Sequence, residues 1–274
     1  MTRAHLSLGV AGSLGPETIA AIAAKAEASG YHALWVNDTP TGDSLAALGA
    51  AAQVTDTLVL ATGVLPVDRR SAGEIIRAVR AHALPQERLV LGIGAGQRRA
   101  GGLALVGDAV RMLHGETSAR VLVGALGPRM RLLAAEQADG ALLSWLSPDE
   151  AAAQAATLRD DAGMAGRVDG GYAALYVRTA VDEAAMRRRD EEGAQYAGYP
   201  AYAANFARLG LTPADTMLPL PGGAGIGSGL AAFATAVDEV VLRAITAGDD
   251  LEHYLSFVDR ARGALTISDA RVTD

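Results

Sequence analysis

Short apolar runs alternate with Ala-rich amphipathic stretches along the whole chain, and most runs are bounded by glycine, asparagine, aspartate or serine. The runs His5–Val10, Ala33–Val36, Leu58–Thr62, Leu89–Ile93, Arg120–Gly124, Gly140–Leu143, Tyr172–Arg178 and Glu239–Arg243 are brief and bounded by turn residues. That is the pattern of parallel strands buried on both faces. Between them, Pro16–Ser29, Asp43–Val54, Ala72–His82, Gly102–His114, Pro128–Gln137, Pro148–Asp161 and Leu251–Arg262 predict helices. Strict alternation with crossover helices predicts an α/β fold with a parallel sheet. Eight such units predict a closed (β/α)8 TIM-like barrel, one domain spanning 1–274. An open Rossmann-type sheet is the rival. Its glycine fingerprint belongs at the first turn, where Gly9-Val10-Ala11-Gly12-Ser13 only half matches.

The spacing is even until the seventh strand. The interval from Arg178 to Glu239 is too long for one crossover and predicts a helical insertion, approximately 180–235, between strands 7 and 8 and over the barrel mouth. Its charge run, Arg187 to Glu192, offers the i,i+4 pairs Arg187/Glu191 and Arg188/Glu192 and reads as a solvated helix face. Thr216 to Val237 carries no charge, but Pro219, Pro221 and Gly222, Gly223, Gly225, Gly227 and Gly229 would break a spanning helix, so it reads as a loop and then a helix.

At 274 residues the chain can bury a full core, yet it has only three Phe and two Trp, so the core must be Ala, Leu and Val. A net charge of −7 argues against nucleic acid, and no segment calls for a membrane. The absence of cysteine excludes disulfides, thiolate nucleophiles and Cys-based metal sites, and it suits a reducing cytoplasm. Met1 to His5 leads straight into strand-like sequence, with no signal peptide expected.

In barrels of this kind the active site is built at the C-terminal strand ends. Lys25, the only lysine, falls within the first helix, so a Schiff base is not expected. His5, His32, His82, His114 and His253 follow no strand and share no ligand spacing, so no metal site is expected. Asp38 and Asp68 make a poor glycosidase pair, and Asp68-Arg69-Arg70 reads as a loop-to-helix connection with charge pairing. The remaining ends offer Gln97, then Ser144 and Trp145, and neither Ser13 nor Ser144 has a base nearby. Glycine turns without catalytic side chains suggest a borrowed cofactor.

Four turns, in order and spacing, resemble one family. They are Gly30 to Asp38, Ala61-Thr62-Gly63-Val64-Leu65-Pro66, Leu89 to Gly96, and Gly124-Ala125-Leu126-Gly127-Pro128 with Ala138-Asp139-Gly140. Together they are similar to the luciferase-like monooxygenase superfamily over roughly the first 150 residues. The resemblance implies a TIM-like barrel with a late insertion, acting as an oxidoreductase on a small-molecule substrate. A reduced deazaflavin (F420), or alternatively FMN, would lie across the strand ends, and a homodimer is left open. On this resemblance Thr62, Gly63 and Val64 match the third-strand bulge, where relatives often place a non-prolyl cis peptide. Gly94, Gly96 and Gln97 match the fourth-strand turn beside the cofactor. Gly124, Ala125, Leu126 and Gly127 match the turn that meets its tail, with Pro128 and Arg129 following. Asp38 matches an acidic residue near the ring and is the one catalytic candidate, although it could equally cap the adjoining turn. Two departures stand out. Thr39 occupies a position where several deazaflavin-dependent members have His, and the segment Gln97-Arg98-Arg99-Ala100-Gly101-Gly102 is short. An FMN monooxygenase, and a degenerate barrel that binds cofactor without turnover, remain the alternatives. A phosphate-binding lyase or isomerase is a weaker third.

Overall fold

A computed structural model describes residues 4–270 except 99, 168, 223 and 224, with 265–270 described by their backbone alone. Arg99 of the short fourth loop, Gly223 of the uncharged stretch and the three N-terminal residues read for a signal peptide lie outside the described residues. All eight expected strands form, as β1 (His5–Ala11), β2 (Ala33–Asn37), β3 (Val59–Thr62), β5 (Leu89–Gly94), β6 (Arg120–Gly124), β7 (Gly140–Ser144), β8 (Tyr172–Ala180) and β10 (Glu239–Ile245). Two strands of two residues each, β4 (Leu65–Pro66) and β9 (Met217–Leu218), pair in parallel alongside β5 and β8. Neither was legible as a separate run.

The barrel closes. Glu239–Arg243 pairs with His5–Gly9 on one side and with Ala174–Arg178 on the other, all in parallel. The rival open sheet would leave the first and last strands apart. Around the barrel run α1 (Pro16–Ala28), α2 (Ser44–Ala52), α3 (Ala72–Ala81), α4 (Gly102–Glu116), α5 (Pro128–Gln137) and α6 (Pro148–Met164). Between β8 and β10 lie α7 (Glu183–Ala197), α8 (Pro200–Leu209) and α9 (Ile226–Ala234), and α10 (Leu251–Ala270) follows the last strand. Helix α9 packs against α6 and α10 and so occupies the place of the ordinary crossover helix. The extra structure within 180–235 is therefore α7, α8 and the chain to β9.

Small residues make the closure possible. Ala33, Ala61, Ala174 and Val241 point inward with Trp35, Val90, Leu122 and Leu142 to fill the barrel. At the N-terminal end the Glu239 carboxylate is buried, accepting from Trp35 Nε1 at 2.6 Å and Tyr172 Oη at 2.8 Å. Its charge is thus solvated by two donors from distant strands, as a buried carboxylate requires.

Candidate active site at the C-terminal rim of the barrel

The rim is made largely of backbone. The Gly63–Val64 peptide is cis, at the bulge after β3. Val64 reaches across the next two strand ends: a Cβ on Gly94 would come within 2.9 Å of Val64 Cγ2, and one on Gly124 within 3.1 Å of Val64 Cγ1. The close approach of Val64 therefore leaves no room for a side chain on Gly94 without a shift, and only tight room on Gly124. The Gly63 carbonyl accepts from Asn37 Nδ2 at 2.5 Å, and Asn37 Oδ1 accepts from Tyr176 Oη at 3.2 Å. A Cβ on Gly63 would meet that hydroxyl at 2.8 Å. Burial pushes the Tyr176 phenol well above its usual pKa, against the pull of Arg243 and Arg178. It stays a neutral donor.

The expected site residues divide into those that converge and those that serve the scaffold. Gly63, Val64, Gly94 and Gly124 meet as described. Thr62 is fully buried and spends its hydroxyl on the Gly92 carbonyl at 3.0 Å. Gly96 has φ 63° and lies beneath Asp68, whose carboxylate also accepts from the Gln97 N–H at 2.9 Å. Asp68 thus clamps this turn. Asp38 follows β2, with its side chain only 3% exposed. The carboxylate accepts from Ser44 Oγ at 3.0 Å and pairs with Arg69 at 2.5 Å. Neighbouring Arg70 pairs with Asp43, whose side chain caps α2 through the Leu45 and Ala46 N–H groups. The charge pairing read into Asp68-Arg69-Arg70 is real, but it crosses between loops. Ala125 is buried in the main core, and Leu126 packs against the Trp145 cluster. Gly127 is the uncapped N-cap of α5, and a Cβ there would meet nothing within 4 Å. Pro128 opens the helix, and Arg129 is exposed.

Over the β7 end, Trp145 adopts a left-handed backbone (φ 60°) uncommon for a bulky residue. It is buried beneath Tyr196, Tyr202 and Phe206 of α7 and α8. Arg178, at the end of β8, lies 3.8 Å from the Trp145 ring and 4.9 Å from that of Tyr196, and it donates to Ser144 Oγ at 2.6 Å. Glu192 turns inward from α7 to bridge Arg178 at 3.2 Å and Arg243 at 3.7 Å. The charge run is therefore only partly a solvated face. Arg187 does pair with Glu191 at 3.5 Å, whereas Arg188 pairs with Asp249 rather than with Glu192.

Sequence reading missed Asn37, Tyr176, Arg178, Glu192 and Arg243. The signal for the two arginines was present, since each closes an apolar run at a C-terminal strand end. The signal for Glu192 was not.

The donor set suits a flavin-type group. It combines backbone edges, neutral donors, and the unblocked N–H groups of a helix N-terminus where a phosphate is stabilised. Thr39 Oγ1 and Trp145 Nε1 are buried at the ends of this rim without a partner. Such orphaned polar atoms are costly unless something completes them.

Residues 2–102 match the family model described as luciferase-like monooxygenase. No curated protein matches the sequence. Among solved structures, the coenzyme F420-dependent tetrahydromethanopterin reductase from Methanopyrus kandleri is similar at a TM-score of 0.70, with 16% identity over 94% of this chain and 97% of that one. An F420-dependent secondary alcohol dehydrogenase, solved with an F420–acetone adduct, reaches 0.75 at 13% identity, covering 96% and 99%. The oxygenating constituent of 3,6-diketocamphane monooxygenase from Pseudomonas putida, solved with FMN, reaches 0.67 at 13% identity, covering 94% and 98%. At such identities these likenesses speak to the fold. Over residues 2–102 the chain is thus similar in sequence to the luciferase-like monooxygenases, and its whole fold is that of these solved structures.

Proposed function

We propose that this protein is an oxidoreductase in which a reduced F420-type deazaflavin, or alternatively FMN, transfers hydride to or from a small organic substrate. The observation that carries the reading is the glycine rim: Gly94 and Gly124 under Val64, and Gly63 against Tyr176, flanked by the unpartnered Thr39 Oγ1 and Trp145 Nε1. When bound, the cofactor supplies the hydride chemistry, while the protein orients it and excludes water. Asn37 and Tyr176 fix the Gly63 carbonyl, so the bulge edge presented to a ring cannot rotate away. Asp68 holds the Gly96–Gln97 turn in place alongside. The N–H groups at the start of α5, with the exposed Arg129 in its first turn, would receive the phosphate of the cofactor tail. Asp38 would be the ring-side carboxylate, its orientation held by Ser44 and Arg69. The Gly-Ala-Leu-Gly-Pro turn favours deazaflavin through its resemblance to those members.

A second reading is a barrel that binds cofactor without turnover. The side chains packed over the β7 and β8 ends favour it, because Arg178 is held between Trp145 and Tyr196 where a substrate would need room.

Fluorescence titration of the purified protein with F420 and with FMN tests the proposal. Saturable binding of F420 at micromolar or lower concentration is the expected result. Binding of FMN alone, with oxygen consumption on reduction, would select the monooxygenase alternative, and binding of neither would overturn the reading.

A further inference from the structure

A cavity of about 240 Å³ opens at the C-terminal end of β10, between α7 and the start of α10. It lies beyond the glycine rim and touches none of the residues expected to hold the cofactor. Arg243 forms part of its wall, together with Arg188, Glu191, Glu192, Asp249 and Tyr254. Among the described residues, pairing off these charges leaves Arg243 without a carboxylate of its own. Arg187 has Glu191, Arg188 has Asp249, and Arg178 has Glu192 at 3.2 Å. Arg243 shares that same Glu192 from 3.7 Å, beyond good hydrogen-bond range, and among the described residues otherwise donates only to the neighbouring Ala244 carbonyl. Its side chain is 16% exposed, so water does little to compensate it. A half-paired guanidinium so little exposed to water attracts an anion, and its planar fork matches a carboxylate in particular.

We infer that Arg243 is the anion-recognising group of the substrate pocket, and that the substrate is a small carboxylate whose acid end docks on this guanidinium. As a statement about substrate this rests on the oxidoreductase reading; as a statement about binding it does not. The cavity falls below the roughly 300–1,000 Å³ of drug-sized pockets, which limits the acid to a compact one. Glu192 acts as an internal stand-in, a carboxylate of the protein itself placed where it competes with the ligand. Burial works against the Arg243 cation, yet Glu192 and the surrounding tyrosines hold its pKa above the ordinary value, so it stays charged across the neutral range.

The test is a ligand-observed NMR titration of the cofactor-free protein with butyrate, with the neutral isostere butyramide and with inorganic phosphate. Wild type should bind butyrate at least ten-fold more tightly than butyramide. Arg243→Gln should abolish that preference, whereas Glu192→Gln should strengthen butyrate binding several-fold by removing the competitor. The opposite signs keep the inference falsifiable even if Arg243→Gln fails to fold, as judged by circular dichroism. Equal binding of acid and amide to wild type would overturn it. So would a Glu192→Gln variant that binds butyrate more weakly, or phosphate binding as tightly as butyrate. Because no cofactor enters this assay, its failure is separate from that of the F420 and FMN titration.

Discussion

Replacing Gly127 with alanine separates a ligand-binding role for the α5 turn from a structural one. Gly127 has φ −128°, open to any L-residue, and a Cβ there would meet no protein atom within 4 Å. Two small terms act on stability. Restricting the unfolded chain stabilises by about 0.4–1 kcal/mol. Alanine is a poorer N-cap than glycine, at a cost of several tenths of a kcal/mol up to about 1. They nearly cancel, so the melting temperature should move by no more than about 2 °C. Ligand binding should respond very differently. If a cofactor phosphate approaches the free N–H groups at this helix start, a methyl group in that space prevents one or more charge-assisted hydrogen bonds. Each is worth about 1.5–3 kcal/mol, so the dissociation constant should rise by roughly ten- to a hundred-fold. Scanning fluorimetry and the F420 titration, run on the same preparation, read the two quantities. Unchanged affinity with unchanged stability would refute the placement of the cofactor tail at this turn.

Asp38→Asn retains a partner for Ser44 but loses the charge of the Arg69 pair. Because Arg69 is 43% exposed and screened, the cost should be about 1 kcal/mol, seen as a modest drop in melting temperature. A carboxylate acting at the ring predicts in addition a fall in turnover of roughly ten- to a thousand-fold with cofactor affinity retained, and unaltered turnover would leave Asp38 as a loop anchor. At the opposite end of the barrel, burial lowers the pKa of His32, with Glu239 opposing and His5 and Arg120 adding to the shift. The folded protein then takes up the proton later than the unfolded chain on acidification. Stability from this group is complete above the unfolded pKa of about 6.5 and is lost as pH falls toward the lower folded value. Urea melts between pH 7.5 and 5 should show that loss, and His32→Asn should flatten it.

The barrel was legible because it is written in local terms. A buried parallel strand such as Leu89–Gly94 must be apolar on both faces, whatever its neighbours turn out to be. The rim was legible only in part. Gly94 and Gly124 could be singled out as small residues, but that Val64 is what crowds them depends on three strand ends meeting. Ala125 shows the limit from the other side. A strand-end position suggests a residue open to ligand, yet its side chain lies in the main core, so enlarging it to Leu would overpack the protein at about 1–3 kcal/mol. Glu192 illustrates the same limit for charge. Helical spacing pairs it with Arg188, whereas in three dimensions Arg178 and Arg243 draw it inward.

The buried carboxylate of Glu239 bears on the order in which this chain can assemble. It joins Trp35 across 204 residues of sequence and Tyr172 across 67, and it lies on the strand that closes the barrel on both sides. Until that strand emerges during synthesis, β1 and β8 are unpaired edges and the inward faces of seven strands lack their last neighbour. Contacts of such long separation come late and slowly, and open apolar edges of this kind invite association with other chains. The barrel therefore cannot close until almost the whole chain has been made, and its completion is the last and most non-local step of assembly.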